Sequence, residues 1–256
     1  MKQDVAILLT ACVNPMGMSY TVLQDSHVRK QQYIEALRYY LDNTGVIIVF
    51  VDNTESDLTP YFEKEIETGR LEILSFDGNH FEKAKGKGYG ESLIIEYGLN
   101  NSRFLIDINL IIKITGRLKC LNIEKVIAKC CNSETVYSWF VLDEYSCPIC
   151  ESRVFIAPRV FYEQYFLPKK NEIDDSNHQY FEHVLLKSLN KWIGNKRNFK
   201  EIWFPLVLNG IGGSTGQVYS KSFFQSIQFY IHYFLHKFNY YGPVKFWIKK
   251  KRRVEE

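Results

Sequence analysis

Apolar runs of strand length alternate with helical patterns through the first half of this chain, and that alternation limits the fold more than any other feature. Val5 to Val13 is nearly continuous in apolar, β-forming residues, which predicts a strand buried on both faces. A loop over Asn14–Asp25 leads into Val28–Leu41, where Tyr33, Ile34, Leu37, Tyr40 and Leu41 recur at helical spacing behind Ser26 as the cap, and Gly45 closes the turn. Val46–Val51 predicts a second strand ending in Asp52-Asn53-Thr54, Leu58–Ile66 a helix, and Leu71–Phe76 a third strand. Tyr89–Leu99 then reads as a helix and Leu110–Ile114 as a fourth strand. This β-α-β-α-β order predicts the α/β class, with a Rossmann-type, mostly parallel sheet flanked by helices. Ligands of such open sheets bind beyond the carboxyl ends of the strands, and polar residues collect there: Thr10 and Asn14, Asp52 and Asn53, Asp77 and Asn79, and Arg117.

Beyond Arg117 the pattern loosens into a mixed α/β region. Ile123–Lys129 reads as helical, Thr135–Leu142 and Ser152–Ile156 as strands, and Tyr180–Trp192 as an amphipathic helix with Phe181, Val184, Leu185 and Leu189 on one face. An aromatic helix is expected over Lys221–Phe238. The chain thus divides into residues 1–120, residues 121–245 and a basic tail at 246–256. Its 256 residues, 46% of them apolar, suffice for a substantial core. A net charge of +3 gives no whole-chain field for nucleic acid, because the excess sits largely at Lys245 and Lys249–Arg253. No apolar run approaches the ~20 residues of a membrane span, and Lys2, Gln3 and Asp4 lead directly into the first strand without a signal-peptide pattern, so a cytoplasmic location is expected. Six cysteines are too few for a disulfide framework, and reduced thiols follow.

Two motifs carry chemistry. Gly86-Lys87-Gly88-Tyr89-Gly90-Glu91 places glycines and a lysine before a helix, and Ile111-Ile112-Lys113-Ile114-Thr115-Gly116-Arg117 places two cations at the end of an apolar strand. Backbone amides at a helix N-terminus and fixed cations suit a diphosphate, although the first motif has neither the dinucleotide nor the P-loop spacing and also reads as a plain turn. A cation at Lys113 costs stability unless an anion meets it, so it faces either a ligand or a structural partner such as Asp107 or Glu91. Gly116 would let backbone approach a ligand, and Arg117 offers a planar fork for phosphate oxygens.

Taken together, Ile7–Pro15 (ILLTACVNP), Val28–Leu37 (VRKQQYIEAL), Val51–Thr54 (VDNT), Gly86–Glu91 (GKGYGE) and Ile111–Arg117 (IIKITGR) resemble, in their order, bacterial surface-polysaccharide glycosyltransferases with a GT-A type nucleotide-sugar domain. The resemblance spans roughly residues 5 to 120. It implies a GT-A-like fold, a nucleotide-sugar donor, UDP being the commonest, and a glycan or lipid-linked glycan acceptor held by residues 121–245. It also implies roles at matched positions. Thr10, Ala11 and Asn14 would hold base and ribose, Arg29 would face the nucleotide, and Asp52 and Asn53 would contact the base. Lys87 and Glu91 would meet ribose or sugar, and Gly88, Thr115 and Gly116 complete the expected nucleotide-sugar site with Lys113 and Arg117 as the diphosphate cations.

One departure from the family matters. Its members usually carry Asp-x-Asp where this chain has Thr115-Gly116-Arg117, and Asp107-Ile108-Asn109 is a poor substitute. A departing diphosphate needs positive charge, which side chains can supply in place of an ion, so no metal ligand is expected and transfer would be metal-independent. Deprotonating an acceptor hydroxyl requires a carboxylate, for which Asp143 with Glu144 and Glu182 are candidates, and the stereochemical outcome stays open. Ile211–Gly216 is a second glycine-rich segment, either a cover for the sugar or diphosphate or a connector. Cys130-Cys131 and Cys147-Pro148-Ile149-Cys150 offer four thiols, which leaves a zinc-stapled binding module as an alternative. A nucleotidyltransferase is another, though acidic metal ligands for it are not evident. Phe246-Trp247-Ile248 followed by five consecutive cations at 249–253 reads as peripheral contact with an anionic leaflet or as a solubilising tail.

Overall fold

A computed structural model of the protein describes residues 4–18, 21–130, 132–142, 148–213, 216, 218–219, 227, 229–231 and 233–234. In chain order the first half contains β1 (Val5–Ala11), α1 (Ser26–Asn43), β2 (Ile47–Asp52), α2 (Glu63–Glu67), β3 (Leu71–Ser75), α3 (Gly86–Asn101) and β4 (Leu110–Thr115). The second half contains β5 (Lys119–Cys120), α4 (Ile123–Lys129), β6 (Val136–Ser138), β7 (Phe140–Leu142), β8 (Pro148–Cys150) and β9 (Val154–Pro158). It continues with α5 (Arg159–Phe161), α6 (Phe181–Gly194), β10 (Phe199–Glu201), β11 (Leu208–Ile211) and β12 (Val218–Tyr219).

A seven-stranded sheet in the order β10-β6-β9-β4-β1-β2-β3 forms the centre. β1 to β4 are parallel, β9 runs against β4 and β6, and β10 is parallel to β6. This mostly parallel sheet between helices is the α/β arrangement expected from the sequence.

Alternation along the strands feeds two cores. Ile7, Leu9, Ile112 and Ile114 pack on one face with Tyr33, Leu37 and Tyr40 of α1 and Val126 of α4. Ala6, Leu8, Ile111 and Phe155 pack on the other with Ile95 and Leu99 of α3 and Leu185 and Leu189 of α6. Burial on both faces is why these strands read as continuous apolar runs rather than as alternating ones.

Several boundaries differ from expectation for local reasons. The cap of α1 is Asp25, whose Oδ1 accepts the His27 and Val28 N–H groups at 2.8 and 3.0 Å, rather than Ser26. Leu58–Ile66 is a 3₁₀ turn at Thr59–Tyr61 followed by α2, broken where Phe62 leaves helical geometry (φ −142°). Thr135–Leu142 divides into β6 and β7 around Trp139, whose indole N–H donates to the Phe204 carbonyl at 2.7 Å. The glycine motif at 86–91 lies inside α3 and is not a turn preceding it. Of the expected aromatic helix, Ile227, Phe229–Ile231 and Tyr233–Phe234 are helical, and the rest of 221–238 lies outside the described residues. Among the described residues no helix is long and apolar enough to cross a membrane.

Candidate active site

The carboxyl ends of β1 and β4 open into a cleft of about 710 Å³. Thr10, Ala11 and Cys12 line it from β1, Lys87, Gly88, Gly90 and Glu91 from α3, and Thr115 and Arg117 from the end of β4. Glu151, Ser152 and Arg153 enter between β8 and β9, Asp175 and Glu182 flank the start of α6, and Ile211–Gly213 close one side.

Arg117 is buried, 7% exposed, yet no carboxylate among the described residues pairs with it. Its Nη1 donates to the Ile211 carbonyl at 2.9 Å and reaches Gln32 Oε1 at 3.5 Å, and the guanidinium lies 6.0 Å from the Tyr33 ring centre. Its Nε has no hydrogen-bond partner. A buried cation with an unmet donor, on the wall of a cleft, is placed to receive an anion. Gly213 is shaped to this group, since a Cβ there would lie 2.4 Å from Arg117 Nη2. Gly116 serves the strand end, its N–H donating to the Thr10 carbonyl at 2.9 Å, and a Cβ would fall 2.8 Å from that oxygen. Close approach of protein backbone, not of a ligand, accounts for this glycine.

Lys113 meets the structural partner rather than a ligand. Alternation along β4 turns it toward α3, where its ammonium pairs with Glu91 Oε1 at 2.5 Å and donates to the Ser152 carbonyl at 2.7 Å, over the Phe181 ring. Glu91 Oε1 also accepts from the Thr10 hydroxyl at 2.7 Å and the Thr115 hydroxyl at 3.4 Å. Lys113, Glu91, Thr10 and Thr115 therefore form one network that locks the ends of β1 and β4 to α3. Lys113 is 1% exposed and already neutralised, which removes it as a diphosphate cation.

The N-terminus of α3 is likewise occupied. Asp175 packs against Gly86, where a Cβ would sit 1.9 Å from Asp175 Oδ2, and Gly86 has φ +80°. The Lys87 backbone N–H bonds to the Asp175 carboxylate. One of the amides expected to cradle a phosphate thus holds a side chain of the protein itself. Gly88 has a matching role, because a Cβ there would touch Phe181 Cβ at 2.8 Å. Burial pushes the Asp175 carboxyl up to about 6, with the Lys87 charge opposing and the Glu182 charge adding. No sequence signal selects Asp175: Asp174-Asp175-Ser176-Asn177 has turn composition, and Asp174 does cap a 3₁₀ turn over Asp175–Asn177.

Glu182 stands at the first turn of α6 and accepts a hydrogen bond from the Ser152 hydroxyl. Beside it Glu151, 3% exposed, is paired with Arg153, whose Nε donates at 2.7 Å. Burial alone would raise the Glu151 carboxyl, but the charge and hydrogen bonds of Arg153, with Lys113 behind, hold it below the usual range. The second candidate base, Asp143, and its neighbour Glu144 lie outside the described residues.

Of the residues expected around the base, Asn53 lines the cleft, 1% exposed, with its Oδ1 unpartnered. Asp52 does not reach it. Fully buried, its carboxylate accepts from the Val13, Thr54 and Ser56 N–H groups at 2.8, 2.8 and 3.0 Å and from the Thr54 hydroxyl, fixing the loops after β1 and β2. Asn14 is exposed and lies off the cleft wall, its carbonyl accepting from Asn79 Nδ2 at 3.1 Å. Arg29 lines the cleft, but its guanidinium holds the loop after β1, donating through Nε to the Cys12 carbonyl at 2.9 Å and through Nη1 to the Leu23 carbonyl at 3.1 Å. The Cys12 thiol is pushed up to about 11 by burial, which disfavours a thiolate nucleophile.

No family model matches the chain, and no curated protein matches it in sequence. Among solved structures it is similar to HddC from Yersinia pseudotuberculosis, with 16% identity, 88% of this chain and 98% of that chain covered, and a TM-score of 0.43. It is also similar to a glycosyltransferase involved in the glycosylation of the major capsid of PBCV-1, with 10% identity, coverage of 77% and 81%, and a TM-score of 0.45. Likeness at this level does not carry activity from one protein to another.

At the end of β4 the residues present do not fit a divalent ion. Thr115, Gly116 and Arg117 offer it no carboxylate, and Glu91 is committed to Lys113. Among the described residues no three His, Cys, Asp or Glu side chains come together to hold a metal. The two described thiols of the expected four-thiol zinc site do not come together. Cys130 packs in the core beneath α1 and α4 and Cys150 in the core on the opposite face of the sheet, while Cys131 and Cys147 lie outside the described residues.

Proposed function

We propose that this chain is a glycosyltransferase that moves a sugar from a nucleoside-diphosphate donor, UDP-linked in our reading, to a hydroxyl of a bacterial surface-glycan precursor. The observation that carries the proposal is Arg117, a buried guanidinium with no carboxylate partner among the described residues and an unmet Nε, in one cleft with the carboxylates Asp175 and Glu182. Glycosyl transfer asks for that pairing. Negative charge develops on the departing diphosphate and needs a fixed cation, while the attacking hydroxyl needs a carboxylate to take its proton. Arg117 supplies the first without a divalent ion, in the place where an Asp-x-Asp would hold one. Residues 1–120 hold the donor on this reading, and residues 121–245 present the acceptor to it.

UDP, and failing that GDP or CMP, is expected to raise the unfolding temperature of the full chain, and sugar transfer is expected to persist in excess chelator. A nucleotide response with strict dependence on manganese or magnesium would remove Arg117 from its role. No response to any of the three nucleotides would end the transferase reading.

We further propose that the acceptor is lipid-linked and that the protein meets it at the cytoplasmic face of the membrane. Ile227, Ile231 and Phe234 follow one another at helical spacing and are exposed at 41%, 54% and 53%, and the sequence adds five consecutive cations at 249–253. Vesicles containing phosphatidylglycerol are expected to sediment the protein, with phosphatidylcholine vesicles leaving it in solution. Equal partition between the two would rule out this contact.

A further inference from the structure

We propose that Asp175, the carboxylate packed against the first turn of α3, is the catalytic residue that takes the proton from the attacking hydroxyl. This assignment rests on the transferase reading above, and it moves the role away from Glu182.

Three observations lead there. Asp175 lines the cleft and is only 6% exposed, so it is shielded from bulk water yet borders the space a substrate would fill. Glu182, by contrast, is held by the Ser152 hydroxyl, and the carbonyl of that same serine holds Lys113. Glu182 therefore belongs to the fixed network and acts on its neighbours as a stationary negative charge. The third observation is the contact with Gly86 and the Lys87 N–H, which stations a carboxylate on the N-terminus of α3. Like charge keeps the donor diphosphate from that terminus and directs it to Arg117. The leaving group and the proton acceptor are thereby assigned to different parts of the cleft.

The charged groups acting on Asp175 are Lys87 on α3, which stabilises its anion, and Glu182 on α6 and Asp174 in its own turn, which disfavour it. His178, which follows the 3₁₀ turn, lines the same cleft. With burial as the largest influence, the carboxyl titrates at about 6, close enough to neutral pH for a base to be both ionised and effective.

In the step itself the acceptor O–H bond breaks and its proton passes to an oxygen of Asp175. The freed electron pair forms the new bond to the anomeric carbon. The bond from that carbon to the phosphate oxygen breaks, its electrons leaving with the nucleoside diphosphate beside Arg117. A single displacement of this kind inverts the anomeric centre.

The experiment compares the full chain with D175N and E182Q, measuring nucleoside-diphosphate release from a panel of UDP- and GDP-sugars across pH. Wild-type kcat is expected to fall on the acid side with an apparent pKa of about 6. D175N is expected to keep the nucleotide-induced rise in unfolding temperature, to lose ~10²–10⁴-fold in kcat, and to lose the acid limb. E182Q reads the titration of Asp175 without touching it: removal of the like charge moves the acid limb to lower pH. An acid limb unchanged in E182Q, or a D175N enzyme of normal rate and profile, overturns the assignment. If E182Q loses turnover while D175N keeps it, Glu182 is the base. If the wild type responds to no nucleotide, the transferase reading itself has failed and the assignment falls with it.

Discussion

Replacing Arg117 by glutamine is expected to lower kcat for sugar transfer by ~10²–10³-fold, the loss that follows removal of one preorganised donor to a developing anion. Glutamine keeps a polar side chain able to donate to the Ile211 carbonyl, so the fold around β11 should persist and the unfolding temperature without nucleotide should change little. The stabilisation by added nucleoside diphosphate should shrink sharply. Arg117→Lys should recover only part of the activity, because an ammonium is a point charge without the planar fork that fixes two donors in one geometry. Kinetics on the purified variants with the donor identified by thermal shift decide the matter. Normal turnover in the glutamine variant would place the leaving group elsewhere.

The largest effect on stability is expected at Lys113. Lys113→Met leaves Glu91 without its counterion, and the cost of breaking such a pair from one side is ~3–5 kcal/mol. Equilibrium urea unfolding should show this as a lower midpoint with an unchanged slope. Adding Glu91→Leu should restore most of the loss, because removing both charges also removes the unpaired one. Activity should not recover, since the hydroxyls of Thr10 and Thr115 would lose the carboxylate that orders them at the cleft. A single variant within ~1 kcal/mol of wild type would show that water reaches the pair and that the network is weaker than its geometry implies.

These two residues also mark how far the sequence could be read. An ammonium among Ile111, Ile112 and Ile114 must meet an anion, and Glu91 was one of two named partners. What the pattern could not decide was ligand against protein, because that depends on the register of β4 against α3. The strands of the parallel half were legible since burial on both faces writes itself as a continuous apolar run. The direction of β9 was not, because periodicity carries no sense of direction. Asp52 misled for a related reason: a carboxylate after β2 looks the same in sequence whether it turns toward a ligand or inward to bind the backbone of two loops. Asp175 was invisible, since its meaning comes from Gly86, far away in the chain. The glycines at 86, 88 and 90 suggested room for a phosphate, and the room is taken by Asp175, Phe181 and Phe81.

β9 is laid against the grain of the sheet, and this has a consequence for how the rim is supplied. β1 and β4 bring their last residues to the cleft, whereas β9 brings the residues just ahead of its first. The Arg153 carbonyl, just ahead of β9, accepts from the Thr115 N–H at the very end of β4 at 2.9 Å, so the chain arrives at the rim and then descends. The chain reaches β9 from the β7–β8 pair, which lies outside the pairings of β1 to β4. Substitutions in that pair, as long as they leave Glu151–Arg153 in place, touch no strand pairing of β1 to β4, while what it carries is delivered close to them. Acceptor preference could be rewritten there, with the donor-binding rim left as it is.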